Sequence, residues 1–153
     1  MTRGHEVVVF EASHRAGGVM VYGIPRFRLP LEIVDEDVKL LTELGVKFVY
    51  NMVIGKVLTL EDLLNKEGFH AIMIGTGAGL PRMLDVPGSN ANGVYSANEY
   101  LTRIYLMDAH HFPQYSTPVS SGKKIAVIGA GNTAMDVLRT ARRLGADATC
   151  YYR

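Results

Sequence analysis

Apolar and polar positions switch between strand-like runs and helical spacing several times along the chain, the pattern of an alternating strand and helix fold. Glu6 to Phe10 is an apolar, β-branched run closed by Glu11 and reads as a strand. Arg15 to Pro30 is punctuated by Gly and Pro and reads as a loop, whereas Leu31 to Leu44 carries apolar residues at helical spacing and ends at Gly45. Val46 to Ile54 follows as a strand or strand pair. Thr59 is a cap for a short helix from Leu60 to Lys66, with Asp62 just inside it. Phe69 to Ile74 reads as a short apolar strand entering Gly75-Thr76-Gly77-Ala78-Gly79. Leu80 to Asn92 is irregular, Ala97 to Met107 suits a helix, and Asp108 to Gly122, with Pro113 and Pro118, is a polar linker.

The last third carries the strongest local signal. A strand from Lys123 to Ile128 runs into Gly129-Ala130-Gly131-Asn132-Thr133-Ala134, a Gly-x-Gly-x-x-Ala turn, and then into a helical pattern that reaches Leu144. The first glycine lets the chain reverse, the second lets the backbone approach a pyrophosphate, and the small third residue lets helix and strand pack closely. The helix N-terminus then faces the phosphates. The opposite end of the chain holds half of the same pattern, because Glu11 closes a strand where such a unit places the acid that binds a ribose hydroxyl. That acid follows its glycine turn by about 20 residues, yet Met1 stands only ten positions before Glu11. The sequence therefore reads as an internal fragment with parts of two nested dinucleotide-binding domains, an α/β, Rossmann-like FAD/NAD(P)-binding fold. Residues 1–107 are expected to form the partial first domain, 108–122 a linker, and 123–153 the start of the second.

Composition narrows the function without naming it. A length of 153 residues with 48% hydrophobic content can fill a core, and a net charge of +1 points to neither nucleic acid nor membrane. No apolar run is long enough to span a bilayer, and the first residues are too short and polar for a signal peptide, so a cytoplasmic protein is expected. The single cysteine, Cys150, excludes an internal disulfide and reads as an inert thiol in an apolar strand. His110-His111 raises the question of a metal, but adjacent histidines point differently and no carboxylate or thiolate completes the set, so none is expected.

The run Phe10-Glu11, Gly17-Gly18, Tyr22-Gly23-Ile24-Pro25-Arg26-Phe27-Arg28-Leu29-Pro30, Gly75 to Gly79 and Gly129 to Asp136 is similar to the small (beta) subunit of NADPH-dependent glutamate synthase over nearly the whole chain. It also resembles the flavin subunit of NADH-dependent ferredoxin:NADP oxidoreductase and the N-terminal half of dihydropyrimidine dehydrogenase. The resemblance implies a flavoprotein oxidoreductase with FAD and NADP(H), in which hydride passes from NADPH to the flavin and electrons continue to iron–sulfur clusters and a partner. The partner would be the glutamate synthase large subunit or a ferredoxin-type acceptor. The cysteines that hold the clusters belong, in the relatives, to a region before the FAD domain.

By that resemblance Glu11 accepts from the adenosine ribose of FAD, Gly17 and Gly18 let backbone approach the ribityl and phosphate portion, and Arg28 places its guanidinium against FAD. Ile54 aligns with a position whose backbone meets the adenine, with a core strand as the bland alternative. Thr76 and Gly77 fall where one domain passes into the other, either as an ordinary turn or as backbone close to the flavin. Arg26 has no counterpart and is expected in solvent, and Asp136 is expected in the first turn of its helix, where a carboxylate favours the dipole. Gly129, Ala130, Gly131, Asn132, Thr133 and Ala134 would cradle the NADPH pyrophosphate, and Arg153 stands where an NAD-binding unit would carry an acid, so it favours a 2′-phosphate. No side chain is assigned as catalytic acid, base or nucleophile. A non-catalytic, truncated nucleotide-binding remnant is the alternative from a different class.

Overall fold

The computed structural model describes residues 3–119, 122 and 124–153. Its chain divides into two compact units, one of residues 3–18 with Leu31–Gly77, the other of Val19–Pro30 with Ala78–Arg153. The second unit thus takes in a segment whose flanking residues both belong to the first.

In the first unit β1 (Val8–Phe10) pairs in parallel with β2 (Lys47–Val49), Val8 opposite Lys47 and Phe10 opposite Val49. The connecting helix α2 (Leu31–Glu43) turns Val34 into the interior. It stops at Gly45, whose φ of 95° suits a residue without Cβ. Gly45 N–H donates to Thr42 C=O and Val46 N–H to Leu41 C=O, the paired bonds of a Schellman end. Helix α3 (Leu60–Asn65) starts at a complete capping box: Thr59 Oγ1 accepts from Asp62 N–H, while the Asp62 carboxylate accepts from Thr59 N–H. Leu63 is buried, and Phe10 and Phe69 meet edge to face at 5.7 Å.

Two strand expectations are corrected here. Val46 to Ile54 contains only the three residues of β2, because Asn51 turns the chain at φ 58° and Ile54 falls in a turn that Gly55 closes. Phe69 to Ile74 forms no strand: among the described residues β1 pairs with β2 alone, and residues 70–77 run without ladder bonds. A strand exists only where a neighbour takes its N–H and C=O groups. Without one the apolar run is left open, and Met73 is 96% exposed.

In the second unit β3 (Lys124–Ile128) and β4 (Asp147–Tyr151) pair in parallel through all five positions, from Lys124 opposite Asp147 to Ile128 opposite Tyr151. Helix α5 (Asn132–Arg143) is the crossover between them. Helix α4 (Ala97–Tyr105), capped by Ser96 Oγ accepting from Glu99 N–H, packs Tyr100, Leu101, Ile104 and Tyr105 against Val127, Val137, Ala141 and Ala148. A short helix α1 (Val19–Tyr22), inside the stretch expected to be loop, packs against α4. The expected linker contains a 3-10 turn at Ala109–His111; its Ser120 and Ser121, and Lys123 of the expected strand, lie outside the described residues.

Candidate functional site

The turn between β3 and α5 is set by its glycines. Gly129 adopts φ 110°, its N–H donates to Tyr151 C=O at 2.8 Å, and its C=O accepts from the Cys150 thiol at 3.0 Å. The turn is thereby fastened to the end of β4 from both sides. Cys150, which makes this bond, is half-buried. Gly131 is the N-cap of α5 in an extended conformation, φ −72° and ψ 172°, with no side-chain cap. A Cβ at Gly131 would meet no atom within 4 Å, whereas one at Gly129 would touch the Ala134 Cβ at 3.8 Å. Ala134 is small enough to let the turn lie on the helix, as the third position of the motif requires.

The first intrahelical bond of α5 is donated by Met135 to Gly131 C=O. Among the described residues the N–H groups of Asn132, Thr133 and Ala134 have no backbone acceptor, so a helix N-terminus with open donors faces outward here. Beside it lies a cleft of about 670 Å³ to which Gly129, Ala130 and Gly131 contribute on one strand end and Tyr151, Tyr152 and Arg153 on the next. Of the sequence-predicted set Gly129, Ala130, Gly131, Asn132, Thr133, Ala134 and Arg153, the cleft gathers Gly129, Ala130, Gly131 and Arg153 but not Asn132, Thr133 or Ala134; Ile128, Leu84 and the two tyrosines join it without having been singled out. Position next to the strand ends was the available signal for Ile128 and the tyrosines, and Leu84 had none.

The block Pro25 to Pro30 lies in the same unit. Arg26 is exposed, as expected, and in addition donates to Tyr105 C=O at 2.8 Å and to Asp108 Oδ1 at 3.2 Å. Phe27 lies under two guanidinium groups, with Arg139 4.4 Å and Arg143 4.0 Å from the ring centroid. Arg28 donates from one terminal nitrogen to Asp136 Oδ2 at 2.6 Å. Asp136 is the fifth residue of α5, beyond its first turn, and its side chain is 5% exposed. The expected dipole role is corrected accordingly, since the helix-end effect fades after one turn. Tyr105 O–H and Thr140 Oγ1 share a buried bond of 2.9 Å, and burial pushes the phenol above its ordinary range.

The remaining predicted residues belong to the first unit. Glu11 closes β1, its Oε1 accepting from Ser13 N–H at 2.8 Å, with its backbone bonded to Val49 and Met52. Gly17 and Gly18 both have positive φ, 120° and 54°. Ile54 is half-buried in its turn, and Thr76 and Gly77 are exposed in the unpaired stretch, Gly77 at φ 72°. The structure also supplies a carboxylate near the paired histidines: Asp108, His110 and His111 bring one donor atom each within 4.8 Å of one another. Asp108 is already engaged by Arg26, and His110 Nδ1 sits 3.2 Å from Ile104 C=O, so the group reads as the polar end of α4.

Comparison with known proteins agrees with this geometry. The family profile of the pyridine nucleotide-disulphide oxidoreductases matches residues 2–153, and the chain belongs to that family. It is 37% identical to the glutamate synthase [NADPH] small chain of Azospirillum brasilense over 99% of this chain and 32% of that protein. With the corresponding Bacillus subtilis small chain it shares 41% identity over 92% of this chain and 28% of the relative. Among solved structures, FprA from Mycobacterium tuberculosis in complex with NADPH superimposes with a TM-score of 0.69 at 27% identity, covering 88% of this chain and 29% of that one. The chain therefore has a Rossmann-like FAD/NAD(P)-binding fold, and it spans about a third or less of the length of these relatives.

Proposed function

We propose that this chain is part of an NADPH-dependent flavoprotein oxidoreductase of the glutamate synthase small-subunit type, with residues 123–153 opening its NADP(H)-binding domain, 108–122 the linker and 1–107 belonging to the FAD-binding one. The observation that carries the reading is the cleft lined by the Gly129–Gly131 turn and Arg153, with α5 and its open N–H groups starting at the next residue. Those residue types suit a dinucleotide: unpaired amides and a helix N-terminus for the pyrophosphate, and a guanidinium for a 2′-phosphate. The absence of a Cβ contact at Gly131 leaves room for a phosphate to approach the main chain. The likeness to FprA in complex with NADPH, at 27% identity, supports the same choice.

For FAD the reading uses Glu11, whose second oxygen is left for a ribose hydroxyl by the single bond to Ser13, with Gly17, Gly18, Ile54, Thr76 and Gly77 as backbone approaches. Arg28 keeps donors beyond the one held by Asp136. Bound flavin supplies the hydride and single-electron chemistry; these residues bind, orient and exclude competing partners. Electrons would then pass to iron–sulfur clusters outside these residues and to a synthase large subunit or a ferredoxin-type acceptor, in a cytoplasmic enzyme. No described helix is long and apolar enough to cross a membrane.

The open stretch around Met73, Ile74 and Leu80, the last 93% exposed, favours a second reading, a nucleotide-binding remnant without turnover. A visible spectrum of the purified chain, mixed with FAD, desalted and then given NADPH without oxygen, separates the two. Retained flavin that bleaches establishes the oxidoreductase core; a colourless protein confines that function to the longer parent.

A further inference from the structure

We propose that Asp136 is a positioning residue: through Arg28 it latches residues 25–30 onto α5 and so fixes the helix whose N-terminus forms the phosphate cradle. The inference rests on the nucleotide reading above for the word cradle, and on geometry alone for the latch. Residues 19–30 pack with the second unit although the chain on either side of them belongs to the first, so something must hold them there. Two apolar anchors, Val21 and Pro25, are buried. Burial alone fixes a segment loosely, because one apolar neighbour packs much like another. Direction comes from three successive side chains, each of which meets a different partner: Arg26 the end of α4, Phe27 the guanidinium groups of Arg139 and Arg143, and Arg28 the Asp136 carboxylate.

Asp136 is the member with no other explanation. A carboxylate in the interior of a helix, almost wholly removed from water, is costly unless it is paired, and an apolar residue of similar volume would pack there without that requirement. Its recorded partner among the described residues is Arg28, at charge-assisted distance. Four residues further along α5, Thr140 bonds to Tyr105, so one face of the helix is tied in succession to the 25–30 block and to α4. The first of these ties lies one turn from the open N–H groups. Loosening it frees the end of the helix that the phosphates would meet.

The test uses the 153-residue chain, first without ligand. Asp136→Asn keeps the shape and removes the charge, and Arg28 can then relax into solvent, so folding survives. Amide exchange at Arg28 and Leu29 and at residues 135–139 is expected to quicken about tenfold, the loss of one charge-assisted bond, while β2 is unaffected. NADP+ titration well below the melting temperature is expected to show about tenfold weaker binding on the same grounds, with Arg28→Gln at least as weak and Arg28→Lys largely restored. Unchanged exchange in Asp136→Asn overturns the latch. Faster exchange with NADP+ affinity unchanged reduces the pair to a strut and overturns the positioning role. A wild-type chain that takes up no NADP+ overturns the cofactor reading instead, and the exchange data still decide whether the latch exists.

Discussion

Replacing Gly131 by alanine separates the cradle's binding role from its folding role, because the two glycines of the turn are constrained differently. Gly131 already has a backbone conformation open to any residue, and its added Cβ meets nothing within 4 Å. Gly131→Ala is therefore expected to change stability by less than about 1 kcal/mol, the gain through the unfolded chain opposing the poorer N-cap that alanine makes. In the proposed NADP+ complex the same methyl would stand where a phosphate meets the main chain. Loss of one charge-assisted hydrogen bond, about 1.5–3 kcal/mol, corresponds to roughly ten- to hundredfold weaker NADP+ binding. Gly129→Ala behaves in the opposite sense. Its Cβ contact with Ala134 at 3.8 Å is ordinary, so the whole penalty is φ 110°, about 1–3 kcal/mol of folding stability. Urea melts and NADP+ titration of both variants at one temperature read the two quantities separately. A Gly131→Ala chain that binds NADP+ within about twofold of the original, at unchanged stability, refutes the placement of the pyrophosphate at this turn.

Leu101, fully buried between α4 and α5, is expected to cost about 2–4 kcal/mol when replaced by alanine, measured as a lower urea midpoint with unchanged slope. Burial raises the Tyr105 phenol, so the fold favours its neutral form; that stabilisation is complete below about pH 10 and is lost as pH rises beyond it. Tyr105→Phe should abolish this alkaline slope in the melting temperature and, at neutral pH, lose about 1–2 kcal/mol by stranding the Thr140 hydroxyl. The Lys66 bond, followed by those from Thr59, holds Asp62 at about 2 instead of 3.8, a lowered carboxyl whose contribution is present above 3.8 and lost as pH falls toward 2. Protection of α3 amides, measured relative to their intrinsic exchange rate at each pH, should fall across that interval and lose this dependence in Asp62→Asn; a slope in protection that survives the substitution removes the capping box as its cause.

What could be read in the sequence was what neighbours along the chain decide. Gly45 ending α2, Thr59 and Asp62 opening α3, and the Gly129–Ala134 turn opening α5 are each settled by residues within a few positions, and each is found where expected. Phe69 to Ile74 has the composition of a strand, yet strand formation depends on a partner far along the chain, and no described residue provides one. The same non-locality hid the roles of Arg26, Arg28 and Asp136, separated by 79 to 108 residues from what they touch. A pattern of three docking side chains in a row has no period to detect. His110-His111 fails in a milder way: Asp108 stands two positions away, and only the 3-10 turn brings it alongside.

The two nucleotide sites proposed for this chain rest on unequal foundations, and the structure explains why. The cradle of the second unit is made by one contiguous βαβ stretch with five paired positions in its two strands, buried against α4. The hydrogen bonds that fasten its turn, to the Tyr151 carbonyl and from the Cys150 thiol, are supplied within the last 25 residues. Such a site can be formed before any ligand arrives, which lowers the entropy lost on binding. Among the described residues the first unit pairs three positions, and its flavin-assigned residues are scattered between Glu11, at a strand end, and Thr76 and Gly77, in a stretch with no ladder bonds. Ordering that stretch must be driven by the ligand or by additional chain, and affinity falls by whatever the ordering requires. NADP(H) uptake by this chain therefore tests the fold directly, whereas FAD uptake tests the fold together with whatever completes the first sheet.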